Sequence, residues 1–263
     1  MQATGRRLDT LMVERGLAET RSRAQGLILA GAVRVGDRIV TKAGTRFPPA
    51  QPLSVIGGNR FVSRAGEKLD AALDGFGIEA GGRSCLDAGA STGGFTDVLL
   101  KRGAERVLSV DVGYGQLDWS LRQDPRVTVL ERTNVRHLKG EDLPFAPNLL
   151  VADLSFISLE VALRSLVATT PSLVEAVVLV KPQFEAGPDL VGRGGVVDDP
   201  GVRAGVILGV VGSFAALGFG AVDLAPAAVT GRKSGNQEYP LRLLRGAVAT
   251  VDEGRVREVV SGA

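Results

Sequence analysis

At 263 residues and 44% hydrophobic composition, the chain is long enough for one large domain, or for a core domain with a small appendage, around a packed interior. A single cysteine, Cys85, excludes an intramolecular disulfide framework, and the start MQATGRRLDT carries charge where a signal peptide needs an apolar run, so a cytoplasmic setting is expected. The net charge of +2 hides an asymmetry: residues 1–64 hold 11 Lys and Arg against 4 Asp and Glu, whereas residues 65–263 hold 20 against 25, which points to a polyanion-binding appendage on a near-neutral core.

In chain order, RLDTLMVERG and TRSRAQGLILAG predict two short amphipathic helices between Arg6 and about Gly31, the second capped by Thr20 or Ser22 and stopped by Gly31. AVRVGDRIV alternates about a Gly36-Asp37 turn as a hairpin would, and LSVI at 53–56 adds a third strand. Arg6, Arg7, Arg15, Arg21, Arg23 and Arg34 fall on this small α/β unit, placed at residues 1–58, which is too small to host catalysis and reads as nucleic-acid binding. FPPAQP and GGNR interrupt the pattern, so an interdomain linker is set at 59–65 and the larger domain at 66–263. From there strand and helix patterns alternate through SCLDAG, GGFTDVLLKRG, RVLSVDV, VTVL, NLLVADLS, SLEVALRSLVA, AVVLVK, AVDLA and YPLRLL, the signature of an α/β fold with a parallel doubly wound sheet. The uncharged run at 204–222 approaches the length of a membrane span, but its glycines favour a buried helix that turns into AVDLA, and no membrane partner is expected.

The first strand of that sheet ends in CLDAGASTGGFTD, where Asp87, Gly89, Gly93 and Gly94 form D-x-G-x-x-x-G-G. Glycines let the backbone approach a ligand, and the next helix presents its N-terminal amides. The dinucleotide pattern G-x-G-x-x-G is absent, and an aspartate before the loop would repel a pyrophosphate while suiting a ligand with a positively charged amino group, such as S-adenosylmethionine. Asp111, 24 residues later at the end of VLSVDVG, is placed to accept hydrogen bonds from two ribose hydroxyls. Asp153, Lys181 and Glu238 reach the same sheet edge. They suit either a structural ion pair at the rim or catalysis, because methyl transfer to a sugar hydroxyl needs a group that orients the hydroxyl and takes its proton. Amino-methylating enzymes commonly show an N/D-P-P-Y/F turn where this chain has DLSF, and Cys85 lies inside a strand rather than at the edge where a nucleophile would act. His137, the only histidine, sits in a polar stretch and reads as exposed and non-catalytic; Tyr114 and Trp119 read as packing a helix on the sheet, with stacking on adenine the alternative. No metal site is expected.

These motifs together resemble the TlyA-type ribosomal RNA 2′-O-methyltransferases, known also as haemolysins. RLDTLMVERGLAETRSRAQGLILAGAVRVG is similar to a small RNA-binding domain of a ribosomal small-subunit protein, and LDAGASTGGFT, DVGYGQL, ERTN, DLSFIS, VKPQFE and GN-x-EY resemble the FtsJ-like Rossmann methyltransferases. The resemblance implies S-adenosylmethionine as cofactor, held by Asp87, Gly89, Ser91, Gly93, Gly94, Phe95, Asp111, Asn134 and Asp153. It also implies a catalytic Lys-Asp-Lys-Glu tetrad of Lys68, Asp153, Lys181 and Glu238; the assignment of Lys68 rests on the resemblance alone. Lys181 is then the residue nearest the reacting hydroxyl. Implied partners are ribosomal RNA or ribosomal subunits, with cytidine in 16S or 23S RNA as target and no DNA. Phe61 stands where relatives often carry tryptophan, and the basic N-terminus with the tail after Leu244 leans toward members that modify both subunit RNAs. The competing readings are a membrane-active lysin and a catalytically silent RNA-binding protein.

Overall fold

The computed structural model describes residues 5–18, 20–55, 60–192, 194–229 and 235–262, and the chain divides into two units, Met1–Asn59 and Arg60–Ala263. In the first, β1 (Arg6–Arg7) leads into α1 (Leu8–Glu14) and α2 (Arg21–Leu29), followed by β2 (Val33–Val35), β3 (Arg38–Ile39), β4 (Arg46–Phe47) and β5 (Leu53–Val55). Leu8 and Met12 on α1, Ala24 and Ile28 on α2, and Val33 and Val35 on β2 close one core. Thr20 caps α2 by accepting from the Arg23 amide at 3.1 Å, and Gly31 follows the helix at φ +69°. β2 is the middle of an antiparallel β3-β2-β5 sheet. The last residue of the expected third strand, Ile56, lies outside the described residues. The pairing of β1 with β4 is too short to leave a periodic trace in the sequence.

Asp9 is the polar centre of this unit. Its carboxylate is buried and accepts from Arg7 at 3.0 and 2.9 Å, from Gln25 at 2.9 Å and from Arg21 at 3.1 Å, so it ties the start of α1 to α2. The Arg7 guanidinium, aided by Gln25 and Arg21, holds the carboxyl far below the usual carboxylate range against the opposing effect of burial.

The second unit comprises α3 (Ala65–Phe76), β6 (Ser84–Ala88), α4 (Gly94–Lys101), β7 (Arg106–Val110), α5 (Trp119–Arg122), β8 (Val127–Leu130), β9 (Leu149–Ala152), α6 (Leu159–Thr169), β10 (Glu175–Val180), α7 (Pro182–Glu185), α8 (Pro200–Ala215), β11 (Phe219–Leu224), β12 (Tyr239–Arg245) and α9 (Glu253–Ser261). Its strands form one sheet in the order β11-β12-β10-β9-β6-β7-β8. Alternation along the strands sends Leu86, Leu108, Leu150 and Val178 to one face, under α6, α8 and α9, and Cys85, Val107, Leu149 and Val177 to the other, under α3 and α4. Cys85 is a core residue whose thiol burial pushes up to about 12.

Four sequence expectations change. The sheet is not wholly parallel: β12 runs antiparallel to both β10 and β11, and among the described residues no helix lies between β11 and β12. The expected linker 59–65 is divided, since Arg60 onward belongs to the second unit, where Phe61 is buried. A Cβ on Gly66 would lie 2.5 Å from that of Phe61, so the aromatic seats directly on the first turn of α3. Trp119 and Tyr114 do not pack on the sheet; Trp119 is 70% exposed, and Leu121 makes the buried contact of the single-turn α5. Finally, α9 has no counterpart among the expected elements, although Asp252 caps it and Val256, Val259 and Val260 carry a helical spacing. The uncharged run 204–222 folds as most of α8, a turn with Gly218 at φ +81° and the start of β11. Among the described residues no helix is long and apolar enough to cross a membrane.

Asp9→Asn keeps the acceptor shape but removes the charge that holds two arginines. It should cost about 1–3 kcal/mol locally, read as faster amide hydrogen exchange in α1 and α2 with exchange in β6, β9 and β10 unchanged. Because the folded carboxyl is shifted down, the Asp9 contribution is present above the ordinary carboxylate range and fades as pH falls through and below it.

Candidate active site

The register brings the site together. Ala88 pairs with Val110 on one side and Ala152 on the other, Ala152 pairs with Val178, and Val180 pairs with Tyr239. The residues that follow β6, β7, β9 and β10, and the residue that precedes β12, therefore leave the sheet along one edge. The order reverses between β7 and β9 on either side of β6, and such a switch point opens a crevice at the carboxyl ends of the strands.

A cavity of about 530 Å³ occupies that crevice, walled by Gly89, Ser91, Asp111, Asn134, Asp153 and Phe156 among others. Gly89 has φ +85°, and a Cβ there would lie 2.6 Å from the Asp153 carbonyl oxygen, so only glycine lets the loops after β6 and β9 meet. The Ser91 amide donates to Asp111 Oδ2 at 2.8 Å and the Gly113 amide donates to Oδ1 at 2.6 Å. The Asp111 carboxylate is thus fixed in the wall by two amides, and a carboxylate has further lone pairs with which to accept. Asn134 is oriented by the Arg136 amide at 3.0 Å. A larger hollow of about 610 Å³ lies beside α8, lined by Ser158, Glu185, Gly205 and Gly209, and none of the residues read from sequence as functional lines it.

Asp87 sits behind the loop rather than in the cavity wall. It is fully buried and accepts from the Thr96 hydroxyl at 2.7 Å, which in turn contacts the Ser109 hydroxyl at 2.7 Å. Burial pushes its carboxyl up to about 7. One oxygen of Asp87 thus supports the loop through Thr96, while the other, Oδ1, is buried with no hydrogen-bond partner among the described residues. Gly93 and Gly94 serve packing at the start of α4: a Cβ on Gly93 would meet Leu121 at 2.3 Å, and one on Gly94 would meet the Ser63 hydroxyl oxygen at 2.2 Å. Gly94 and the buried Phe95 also border a smaller cavity of about 180 Å³ that shares Gly89, Ser91, Asp153 and Ser155 with the first and includes Lys181.

The four candidate catalytic residues form two ion pairs. The Lys181 ammonium lies 2.5 Å from Asp153 Oδ1, without hydrogen-bond alignment to it, and donates to the Ser155 hydroxyl at 3.0 Å. Lys68, on α3, donates to Glu238, and both side chains are largely buried. Continuing the Val180–Tyr239 pairing by one residue sets Glu238 across from Lys181. Beside them, Phe156 has φ +65°, is 90% exposed and meets Phe184 at 4.9 Å between ring centroids, while the Lys181 ammonium lies 5.8 Å from the Phe184 ring. Sequence reading missed Ser155, Phe156 and Phe184; their only signal was proximity to Asp153 and Lys181 in DLSF and VKPQFE.

Of the six arginines read as RNA-binding, four are engaged within their own unit. Arg6 pairs with Glu14, Arg7 and Arg21 with Asp9, and Arg15 donates to the Pro49 and Gln51 carbonyls. Arg23 and Arg34 are exposed, with no ion-pair partner among the described residues.

A seven-stranded sheet with one internal antiparallel strand, a glycine loop after its first strand and an acidic residue closing the second defines a Rossmann-like methyltransferase. FtsJ-like methyltransferases match residues 61–243 and the S4 domain matches residues 6–50, and the chain belongs to the FtsJ-like methyltransferase family in its TlyA-type branch. It is 49% identical to the 16S/23S rRNA (cytidine-2′-O)-methyltransferase TlyA of Mycobacterium tuberculosis, over 90% of this chain and 89% of that protein. It is 39% identical to Hemolysin A of Brachyspira hyodysenteriae, over 89% of this chain and 97% of the relative. A solved structure from Streptococcus thermophilus, named as a hemolysin, superposes with a TM-score of 0.74 at 36% identity, covering 99% of this chain and 96% of the other.

The cavity fits the cofactor of such enzymes. Its walls offer carboxylate and amide acceptors in Asp111, Asn134 and Asp153, suited to hydroxyl and ammonium donors and to a cationic centre. Asp87 itself predicts a pH effect. Its carboxyl is raised in the fold, so both states are protonated in acid, the unfolded chain ionises first as pH rises, and the native state loses stability until about pH 7. Relative to Asp87→Asn, the wild type should lose stability between about pH 4 and pH 7 and hold level above, as read by denaturant melts; a flat difference would contradict the burial argument.

Proposed function

We propose that the protein transfers a methyl group from S-adenosylmethionine to the 2′-hydroxyl of a cytidine in ribosomal RNA, and that it acts in the cytoplasm on RNA or on assembled ribosomal subunits. The observation that carries this reading is the Lys181–Asp153 pair at the cavities after β6, the larger walled by Asp111 and Asn134, with the Lys68–Glu238 pair joined to it by the register that sets Glu238 across from Lys181. Gly89, Ser91, Asp111, Asn134 and Asp153 would hold the cofactor, which supplies an electrophilic methyl on a sulfonium. The relatives' activity on rRNA cytidine and the S4 domain support the choice of acceptor.

The chain's own residues then perform three tasks. Asp153 and Ser155 fix the Lys181 side chain at the edge of the smaller cavity, so that it orients the attacking hydroxyl and, once its own ammonium proton has left to solvent, accepts the hydroxyl's proton. Glu238 holds Lys68 as a second fixed positive group near the acceptor. Phe156 and Phe184 present an open aromatic surface beside Lys181 on which an unstacked base can lie. The N-terminal unit supplies affinity rather than chemistry, through cations such as Arg23 and Arg34 that are free to meet phosphate.

Lys181→Ala should retain the fold and cofactor binding by calorimetry yet lose methyl transfer by about 10²-fold or more. Lys181→Arg should not restore it, since a guanidinium stays protonated; substantial activity in that variant would show that positive charge suffices and remove the base role. Replacing Arg23 and Arg34 together by alanine should weaken RNA binding and make its dependence on log salt concentration shallower, by about one unit of slope for each phosphate no longer neutralised. An unchanged slope would show that RNA is held by other residues.

A further inference from the structure

Glu238 is held less by its own strand than by what lies around it. The segment before β12 begins with Asn236, which is buried, accepts from the Val197 amide at 2.9 Å and donates to the Gly195 carbonyl at 2.8 Å. One side chain thus grips two residues of the loop that precedes α8, much as a neighbouring strand would. The same loop is tied again through Arg203, on the first turn of α8, which donates to the Asp198 carbonyl at 3.2 Å and to the Tyr239 hydroxyl at 3.3 Å. Asn236 and Tyr239 bracket Glu238 in sequence, and both are anchored to residues 195–198. On the other side, the Ala227 amide donates to the Glu238 carbonyl at 2.8 Å and the Gln237 side chain donates to the Ala227 carbonyl at 3.2 Å. Only the Glu238 carboxylate is left to reach outward, and it takes Lys68.

We infer that Asn236 is a positioning residue: by latching the 195–197 backbone it sets the Glu238 carboxylate against Lys68, and it touches neither cofactor nor RNA. A buried amide that bridges a backbone donor and acceptor cannot be replaced by its own acid without placing a carboxylate oxygen against the Gly195 carbonyl.

The inference rests on the 2′-O-methylation reading, and the test keeps the two apart. Single-turnover methyl transfer to ribosomal RNA is measured for wild type, Asn236→Asp, Glu238→Gln and the double variant, with S-adenosylhomocysteine affinity by calorimetry. Asn236→Asp should slow transfer by about 10-fold or more, leave the affinity within about twofold, and cost nothing further in the Glu238→Gln background, because groups acting through one another are not additive. Asn236→Ala, which removes the bonds to Val197 and Gly195 without adding charge, should give the same pattern. An unchanged rate in either variant, a full multiplicative loss in the double variant, or a parallel loss of S-adenosylhomocysteine affinity would overturn the latch. A wild type that binds the cofactor and transfers no methyl to RNA would instead overturn the underlying reading.

Discussion

Two lysines taken largely out of water at a sheet edge decide much of this structure. A buried ammonium without a partner is costly, so Lys181 and Lys68 each require a carboxylate within reach, and Asp153 and Glu238 are those carboxylates. Each pair joins elements far apart in sequence: β9 to β10 in one, α3 to the entrance of β12 in the other. Meeting that demand fixes where β9 and β10 leave the sheet, where β12 enters it and where α3 lies beside them. The antiparallel β12 is part of the same constraint, since only a strand running against β10 delivers its first residues to the edge where β10 delivers its last.

The cofactor side of the crevice is built by a different device, namely close backbone approach. The glycine loop after β6 lies against the backbone after β9 at Gly89 and beneath Ser63 at Gly94, and the buried Asp87–Thr96–Ser109 chain props it from behind. Asp111, gripped by two amides, faces the cavity with its remaining acceptor capacity. In the proposed mechanism the methyl donor and the proton acceptor would thus be held by rigid groups that share walls, which is what in-line transfer between two bound molecules requires.

Much of this was legible in the sequence because strand ends are marked there. Asp153 and Lys181 each interrupt an apolar run, and Glu238 sits in GNQEY just ahead of another, so their arrival at one edge followed from the alternation of strands and helices. Lys68 was not legible from its own surroundings: it lies on an ordinary amphipathic helix, and its partner is 170 residues away. The depth of Asp87 was not legible either, because a motif position does not show that one carboxylate oxygen is spent on Thr96 behind the loop. Trp119 was misplaced because aromatic character alone does not show that α5 is too short to bury a tryptophan. The hydrogen bonds of Asn236 to the 195–197 loop had no sequence signal at all.

In this mechanism the methyl acceptor is a ribose hydroxyl rather than a base. A methyl on the 2′-oxygen removes the internal nucleophile that alkali uses to cleave RNA, so the site of transfer can be read from hydrolysis. Ribosomal RNA labelled by the protein with tritiated S-adenosylmethionine, then digested in alkali, should release the label in alkali-stable dinucleotides that begin with cytidine. Label recovered in mononucleotides would place the methyl on a base and contradict ribose methylation.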